Sequence, residues 1–125
     1  MKQYTTPEQT AKLIELGFEK PKNRIVKQRF DRSTSSWITI GEEGAYSIGE
    51  LIEMLPMTIT HEIWFGKDKD KEGVWGLRID TSGTEYGWDI SYERPHSAHL
   101  YREGRSKLVD ALYDMIVKLK EEGVI

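Results

Sequence analysis

Two histidines and two glutamates lie close together near residue 100. His96 and His99 are three residues apart, and Glu93 and Glu103 flank them. Imidazole and carboxylate groups bind zinc and iron, and two histidines at this spacing on a helix could hold one metal ion. Pro95 and its polar neighbours favour an irregular connection instead, because proline interrupts a helix. A loop that happens to contain histidines is the simpler interpretation, and a metal-dependent enzyme is a third hypothesis behind the two that follow.

The segment from residue 20 to residue 32 is strongly basic. It contributes +5 to a chain whose net charge is −3, so the remainder carries −8. Phe30 and Trp37 add aromatic side chains, and cations mixed with aromatics are typical of nucleic-acid contacts. The same charges also suit an exposed sheet edge, or a contact with the acidic remainder of this chain or of a second copy. The residues of this nucleic-acid hypothesis are Lys20, Lys22, Arg24, Lys27, Arg29 and Arg32.

Composition limits the class of protein. A chain of 125 residues is long enough for one domain over residues 1–125 with its own core. The absence of cysteine excludes disulfides and thiol chemistry and suits a cytoplasmic location. No apolar run at the start resembles a signal peptide, and none approaches the roughly 20 residues of a membrane span. We therefore predict a cytoplasmic protein without membrane contact, and the sequence indicates no cofactor.

Two helix-start signatures share one design. Thr6 is followed three residues later by Gln9, and Ser47 by Glu50, which is the pattern of a capping box. They predict one helix from Pro7 to about Leu16 and a second after Ser47 that ends near Leu55. A third helix is predicted over residues 106–123. Its inner stripe is Leu108, Leu112, Met115 and Leu119, flanked by Val109 and Ile116.

Strands are predicted in the middle of the chain. Apolar residues alternate in three runs between residues 58 and 93, which indicates an antiparallel meander. Aligning the apolar faces predicts Phe65 opposite Trp75, and Arg78 between Glu62 and Asp89. A further hairpin is predicted over residues 24–41. The expected fold is α+β, with three helices packed on one face of an antiparallel sheet of three to five strands.

Some apolar residues are expected on the outside. Trp64 falls on the polar face of the meander, while Tyr113 and Val117 fall on the outer side of the last helix, beside Asp110 and an Asp114–Lys118 pair. Single exposed apolar residues are ordinary, but several that converge would mark a partner surface. Trp64, Tyr113 and Val117 are the predicted partner surface.

Three stretches resemble a known group of sequences: YTTPEQTAKLIELGFEKP at 4–21, YSIGELIEMLP at 46–56 and LVDALYDMIVKLKEEGVI at 108–125. They resemble a family of small uncharacterised proteins of gut Bacteroidales-type bacteria, often associated with mobile elements and prophages. The resemblance implies a shared scaffold but no activity, cofactor or site residue. The sequence therefore favours a small protein-interaction or binding module without catalytic activity, acting on a protein partner or a second copy. Nucleic-acid binding through the basic segment is the alternative.

Overall fold

The computed structural model describes residues 2–61, 73–81, 87–94 and 99–125, except for the side chains of Lys27, Glu42 and His61. Within these ranges the elements are, in chain order, α1 (Pro7–Glu15), β1 (Asn23–Asp31), β2 (Ser36–Ala45), α2 (Ile48–Met54), β3 (Thr58–His61), β4 (Gly73–Asp80), β5 (Trp88–Glu93), β6 (Tyr101–Arg105) and α3 (Leu108–Glu121).

Both predicted capping boxes are present. The Thr6 hydroxyl accepts a hydrogen bond from the Gln9 backbone N–H at 3.1 Å, and the Gln9 side chain accepts from the Thr6 N–H at 3.0 Å. Ser47 and Glu50 make the same reciprocal pair at 3.2 Å each. These bonds satisfy backbone donors that a helix start leaves unpaired. The predicted starts of α1 and α2 are therefore confirmed.

The inner stripe of α3 is confirmed, but Asp110 is not on an outer, exposed face. All six apolar residues predicted to be buried are buried, and Asp110 is buried with them at 9% exposure. Its Oδ1 accepts hydrogen bonds from Lys2 Nζ at 2.7 Å and Gln9 Nε2 at 2.8 Å. The prediction was wrong because the chain start and α1 cover the first turn of α3, which helical periodicity alone does not reveal.

The predicted Asp114–Lys118 pair is replaced by two contacts to a strand. Asp114 pairs with Arg105 at 2.8 Å and Lys118 with Glu103 at 3.5 Å. Both partners belong to β6, which packs against α3. These two charges of α3 therefore stabilise the contact between α3 and β6 rather than the helix itself.

Four antiparallel strands form one sheet in the order β3-β4-β5-β6. The predicted inner face is confirmed where it is described: Ile59, Trp75, Ile90 and Tyr92 are buried, and Leu77 is partly buried against them. The polar strand β6, in a segment interpreted as an irregular connection, was not predicted.

The register of this sheet differs from the predicted one. Trp75 lies opposite Ile59, where Phe65 was expected, and Leu77 lies opposite Tyr92, where Ile90 was expected. The observed and the expected partner differ by six residues in the first case and by two in the second. Because both numbers are even, the prediction of which face each residue lies on was right, whereas the predicted strand register was wrong. Apolar alternation determines which side a residue faces, but shifts of two residues preserve it.

The α+β class is confirmed, but the strands do not form one sheet. The hairpin predicted at 24–41 exists as β1 and β2, and these two strands make a separate sheet. Among the described residues, no helix combines the length and apolar character needed to cross a membrane.

Candidate interaction surface

The separate hairpin is a long two-stranded ribbon, which we call the arm (residues 23–45); the other described residues form the body. Phe30 lies opposite Trp37 near the turn, and Asn23 lies opposite Ala45 at the base. Gln28 pairs with Thr39 and Lys27 with Gly41, so Ile40 is the extra residue of a β-bulge. The Asp31 carboxylate closes the turn by accepting from the Ser33 N–H and hydroxyl, which lowers its pKa.

The arm exposes large apolar side chains. Val26 is 46% exposed, Phe30 46%, Trp37 66% and Ile40 59%. The rings of Phe30 and Trp37 meet edge to face with their centroids 5.4 Å apart. Each of these residues leaves about half or more of its surface exposed, so they do not serve as an ordinary core. Sequence reasoning identified the two aromatics but missed Val26 and Ile40, because alternation does not show whether a hairpin packs on anything.

The core of the body is complete without the arm. Among the described side chains of the arm, Ala45 at its base is the one that is fully buried. The partly buried residues that pack on the core also come from the body. An isolated two-stranded hairpin is at best marginally stable in water, so the arm depends on how its base is attached.

Several contacts attach the base of the arm to the body. Glu50 accepts hydrogen bonds from the Asn23 side chain and from the Lys22 backbone N–H. The two body segments that flank the arm are joined as well, because the buried Tyr46 donates its hydroxyl to the Glu19 carbonyl, and burial raises the pKa of this tyrosine. Gly44 lies so close to Pro21 that an added Cβ would sit 3.1 Å from the proline ring. Glu50, which belongs to the capping box of α2, thus also positions the arm.

The basic segment does not form one continuous strip. Lys20 and Lys22 lie below the arm, in a cleft of about 240 Å³ that also contains Glu50 and Glu53. On β1, Arg24 faces the same side as Phe30, whereas Arg29 faces the other, and Arg32 lies in the turn. Among the described residues, the side chains of these three arginines have no hydrogen-bond or ion-pair partner, and all three are exposed. Lys27 is on β1, and its side chain lies outside what the structure describes.

A charged cleft of about 250 Å³ lies on the outer face of the four-stranded sheet. Arg78 contacts Asp80 at 2.9 Å and Glu93 at 3.1 Å, while Arg102 contacts Asp89 at 2.8 Å. The hydrogen bonds that both arginines donate to these carboxylates raise the pKa of each arginine. Both arginines of the cleft are therefore paired, and the three carboxylates outnumber them. Sequence reasoning placed Arg78 between Glu62 and Asp89, but Asp89 pairs with Arg102 instead, and Glu62 lies outside the described residues.

The four candidate metal ligands are not all brought together. His99 Nε2 lies 2.8 Å from Glu93 Oε1 in the charged cleft. Glu103 lies on the opposite face of the sheet, where it pairs with Lys118, and His96 lies outside the described residues. In the described part of the chain, no cluster of three or more histidine, aspartate or glutamate side chains could hold a metal ion.

The residues of the predicted partner surface differ in their surroundings. Tyr113 and Val117 are half-buried and pack against the core. The expectation that Val117 faces water was wrong, because α3 packs on both the sheet and α2. Trp64 lies outside the described residues, so its placement stays a prediction.

Comparison of this chain with protein-family models, curated proteins and solved structures finds no match. The resemblance to a Bacteroidales family therefore stays a prediction.

Proposed function

We propose that the protein is a small interaction module without catalytic activity, and that the arm is the surface that contacts its protein partner. One observation carries this proposal: four large apolar side chains are exposed on an element that contributes almost nothing to the core. Two of them, Phe30 and Trp37, are in direct contact, and exposed apolar groups that lie together mark partner sites on soluble proteins. Trp, Phe and Arg are also enriched where protein interfaces are energetically important.

The charged cleft is a weaker candidate for function. Its arginines and carboxylates already pair with one another, so a ligand would have to break existing ion pairs. Ser91 lines the cleft but is only 3% exposed, which limits its access to a substrate. Stabilisation of the sheet accounts for these residues without a ligand.

Site-specific photocrosslinking tests whether the arm contacts a partner. A photoreactive amino acid at position 37 should capture a protein in cells of the organism that encodes the chain. The matched control is position 57, because Met57 is 71% exposed but lies on the body. We expect capture from position 37 and loss of that capture on Phe30→Ser. Equal capture from both positions, or none from position 37, would contradict the proposal.

Nucleic acid is a second candidate partner, favoured by the exposed arginines of the arm. Each phosphate that the arm neutralises should add about 0.7 to the log–log salt slope for a single strand and about 0.9 for a duplex. Arg24, Arg29 and Arg32 replaced together by Ala should flatten the slope measured with labelled oligonucleotides by fluorescence anisotropy. Replacement of Lys12 and Lys107, which lie on the body, should not. Absence of binding at low salt removes this candidate.

A further inference from the structure

The two outer edges of the arm differ in how well they are protected against strand pairing. The edge strand β1 carries Arg24, Lys27, Arg29 and Asp31 along its length. In β2, the six residues from Ser36 to Gly41 read SWITIG and contain no charge and no proline. Charges and prolines are the usual protection of a sheet edge. Short uncharged segments rich in β-branched and aromatic residues are those that pair most readily with other strands.

In the part of the chain that the structure describes, no strand pairs with the outer edge of β2. Most of the segment is also exposed, including Trp37, Thr39 and Ile40. A β-bulge bends the strand that contains it. The bulge at Ile40 therefore limits the regular part of this edge to Ser36–Thr39. Unpaired backbone donors and acceptors along such an edge are a template for one more strand.

We propose that the occupant of this edge is the β2 strand of a second copy, so that two arms join into one four-stranded antiparallel sheet. This proposal rests on the proposed function and names the partner of the same surface. In an antiparallel sheet, residues that lie directly opposite each other point to the same face. The two-fold axis that relates the two β2 strands must therefore pass between one residue and the same residue of the second copy. A register centred on Ile38 or Thr39 places the uncharged segment against itself.

Charge favours this pairing over the alternatives. Pairing β1 with its own copy about Lys27 would place like charges opposite each other, which destabilises a sheet. β2 has its two acidic residues, Glu42 and Glu43, at its base, whereas Arg29 and Arg32 lie toward the turn. Antiparallel pairing of two β2 strands brings Arg32 in the turn of each arm toward Glu42 and Glu43 on the β2 strand of the other, whereas Arg24, Lys27 and Asp31 belong to β1, one strand away from the new pairing.

Substitution of Thr39 tests the pairing directly. Thr39 is exposed, so the monomer should tolerate a charge there, and in either register the two Thr39 side chains lie directly or diagonally opposite. Thr39→Lys and Thr39→Glu should each weaken dimerisation by roughly tenfold or more. An equimolar mixture of the two variants should restore a dimer. The matched control is Gln28→Lys, because Gln28 is the β1 partner of Thr39 on the same face of the arm.

Sedimentation equilibrium over a range of protein concentrations measures the outcome, with circular dichroism to confirm that each variant is folded. A wild-type chain that is monomeric throughout, or a Gln28→Lys variant as impaired as Thr39→Lys, would overturn the pairing. Photocrosslinks from position 37 distinguish the two proposals. Capture of a different protein retains the arm as contact surface and rejects the second copy, whereas salt-sensitive oligonucleotide binding by a monomer identifies nucleic acid as the occupant.

Discussion

Asp110 shows how a residue on an expected outer helix face becomes part of the interior. Burial raises the pKa of its carboxyl, but the hydrogen bonds from Lys2 and Gln9 and the charges of Lys2 and Arg105 outweigh that effect, so that the pKa lies below the ordinary 3.8. Asp110 also lies in the first turn of α3, where the helix dipole favours a negative charge. The carboxylate ties the chain start and α1 to α3.

Replacement of Asp110 by Asn should lower the free energy of unfolding at neutral pH by about 2 kcal/mol, the magnitude of hydrogen bonds to a charged group. A carboxyl whose pKa is lower in the folded than in the unfolded state stabilises the fold above its unfolded pKa. That contribution is lost as the pH falls through the folded pKa. The difference between wild type and Asp110→Asn should therefore shrink below a pH of about 4.

Urea unfolding at pH 7 and at pH 3 measures this difference. Asp114→Asn is the matched control, because Asp114 lies on the same helix and pairs with an arginine that is about half exposed. Exposed pairs contribute about 0–1 kcal/mol. Equal losses for the two variants at pH 7 would show that the Lys2–Gln9–Asp110 network contributes no more than a surface ion pair.

At the scale of elements, local signals were sufficient for the helices and insufficient for the sheets. Capping boxes and the apolar stripe of α3 depend on neighbours three or four residues away, so the sequence contains what is needed to place them. Strand partners are distant in sequence. Alternation identified the inner faces of β4 and β5, but the register depends on loop lengths and packing that it does not encode.

The strand β6 shows why apolar alternation can miss a strand. Its residues facing α3 are Tyr101, Glu103 and Arg105, of which two are charged. Both charged residues pair with α3, Glu103 with Lys118 and Arg105 with Asp114. Such a strand packs against a helix through ion pairs and aliphatic stems, so a search for alternating apolar residues does not detect it. The metal-site hypothesis included Glu103 because β6 was not recognised. This strand places Glu103 on the opposite face from Glu93, and because His96 lies outside the described residues, a metal site at His99 and Glu93 stays a prediction.

The candidate surface could be predicted only in part. Phe30, Trp37 and the arginines of the basic segment were identified as candidates from their types and spacing alone. Their exposure depends on the hairpin forming its own sheet, and the sequence left open whether the hairpin joins the main sheet. Thr39 and the uncharged edge become notable only once the free side of β2 is known.

At the scale of the whole molecule, the arm and the body differ in how they are stabilised. The body has a continuous core from all three helices and the four-stranded sheet. The arm is held at its base by Glu50, Pro21 and the Asn23–Ala45 pair. Evolution of a contact surface on such an element would leave the core unchanged, which is consistent with an interaction module.

Removal of the arm tests this division. Replacement of residues 24–44 by an Asn-Gly turn keeps Asn23 and Ala45, and two-residue turns of this type close antiparallel hairpins. Because the arm supplies almost no buried side chain, the shortened chain should unfold cooperatively, with a Tm within about 5 °C of the full chain. It should also be monomeric, because it lacks the β2 edge.

Calorimetry measures the Tm of the shortened chain, and sedimentation equilibrium measures its oligomeric state. A shortened chain that fails to fold would show that the arm is a structural part of the core, and a shortened chain that still dimerises would place the self-contact on the body.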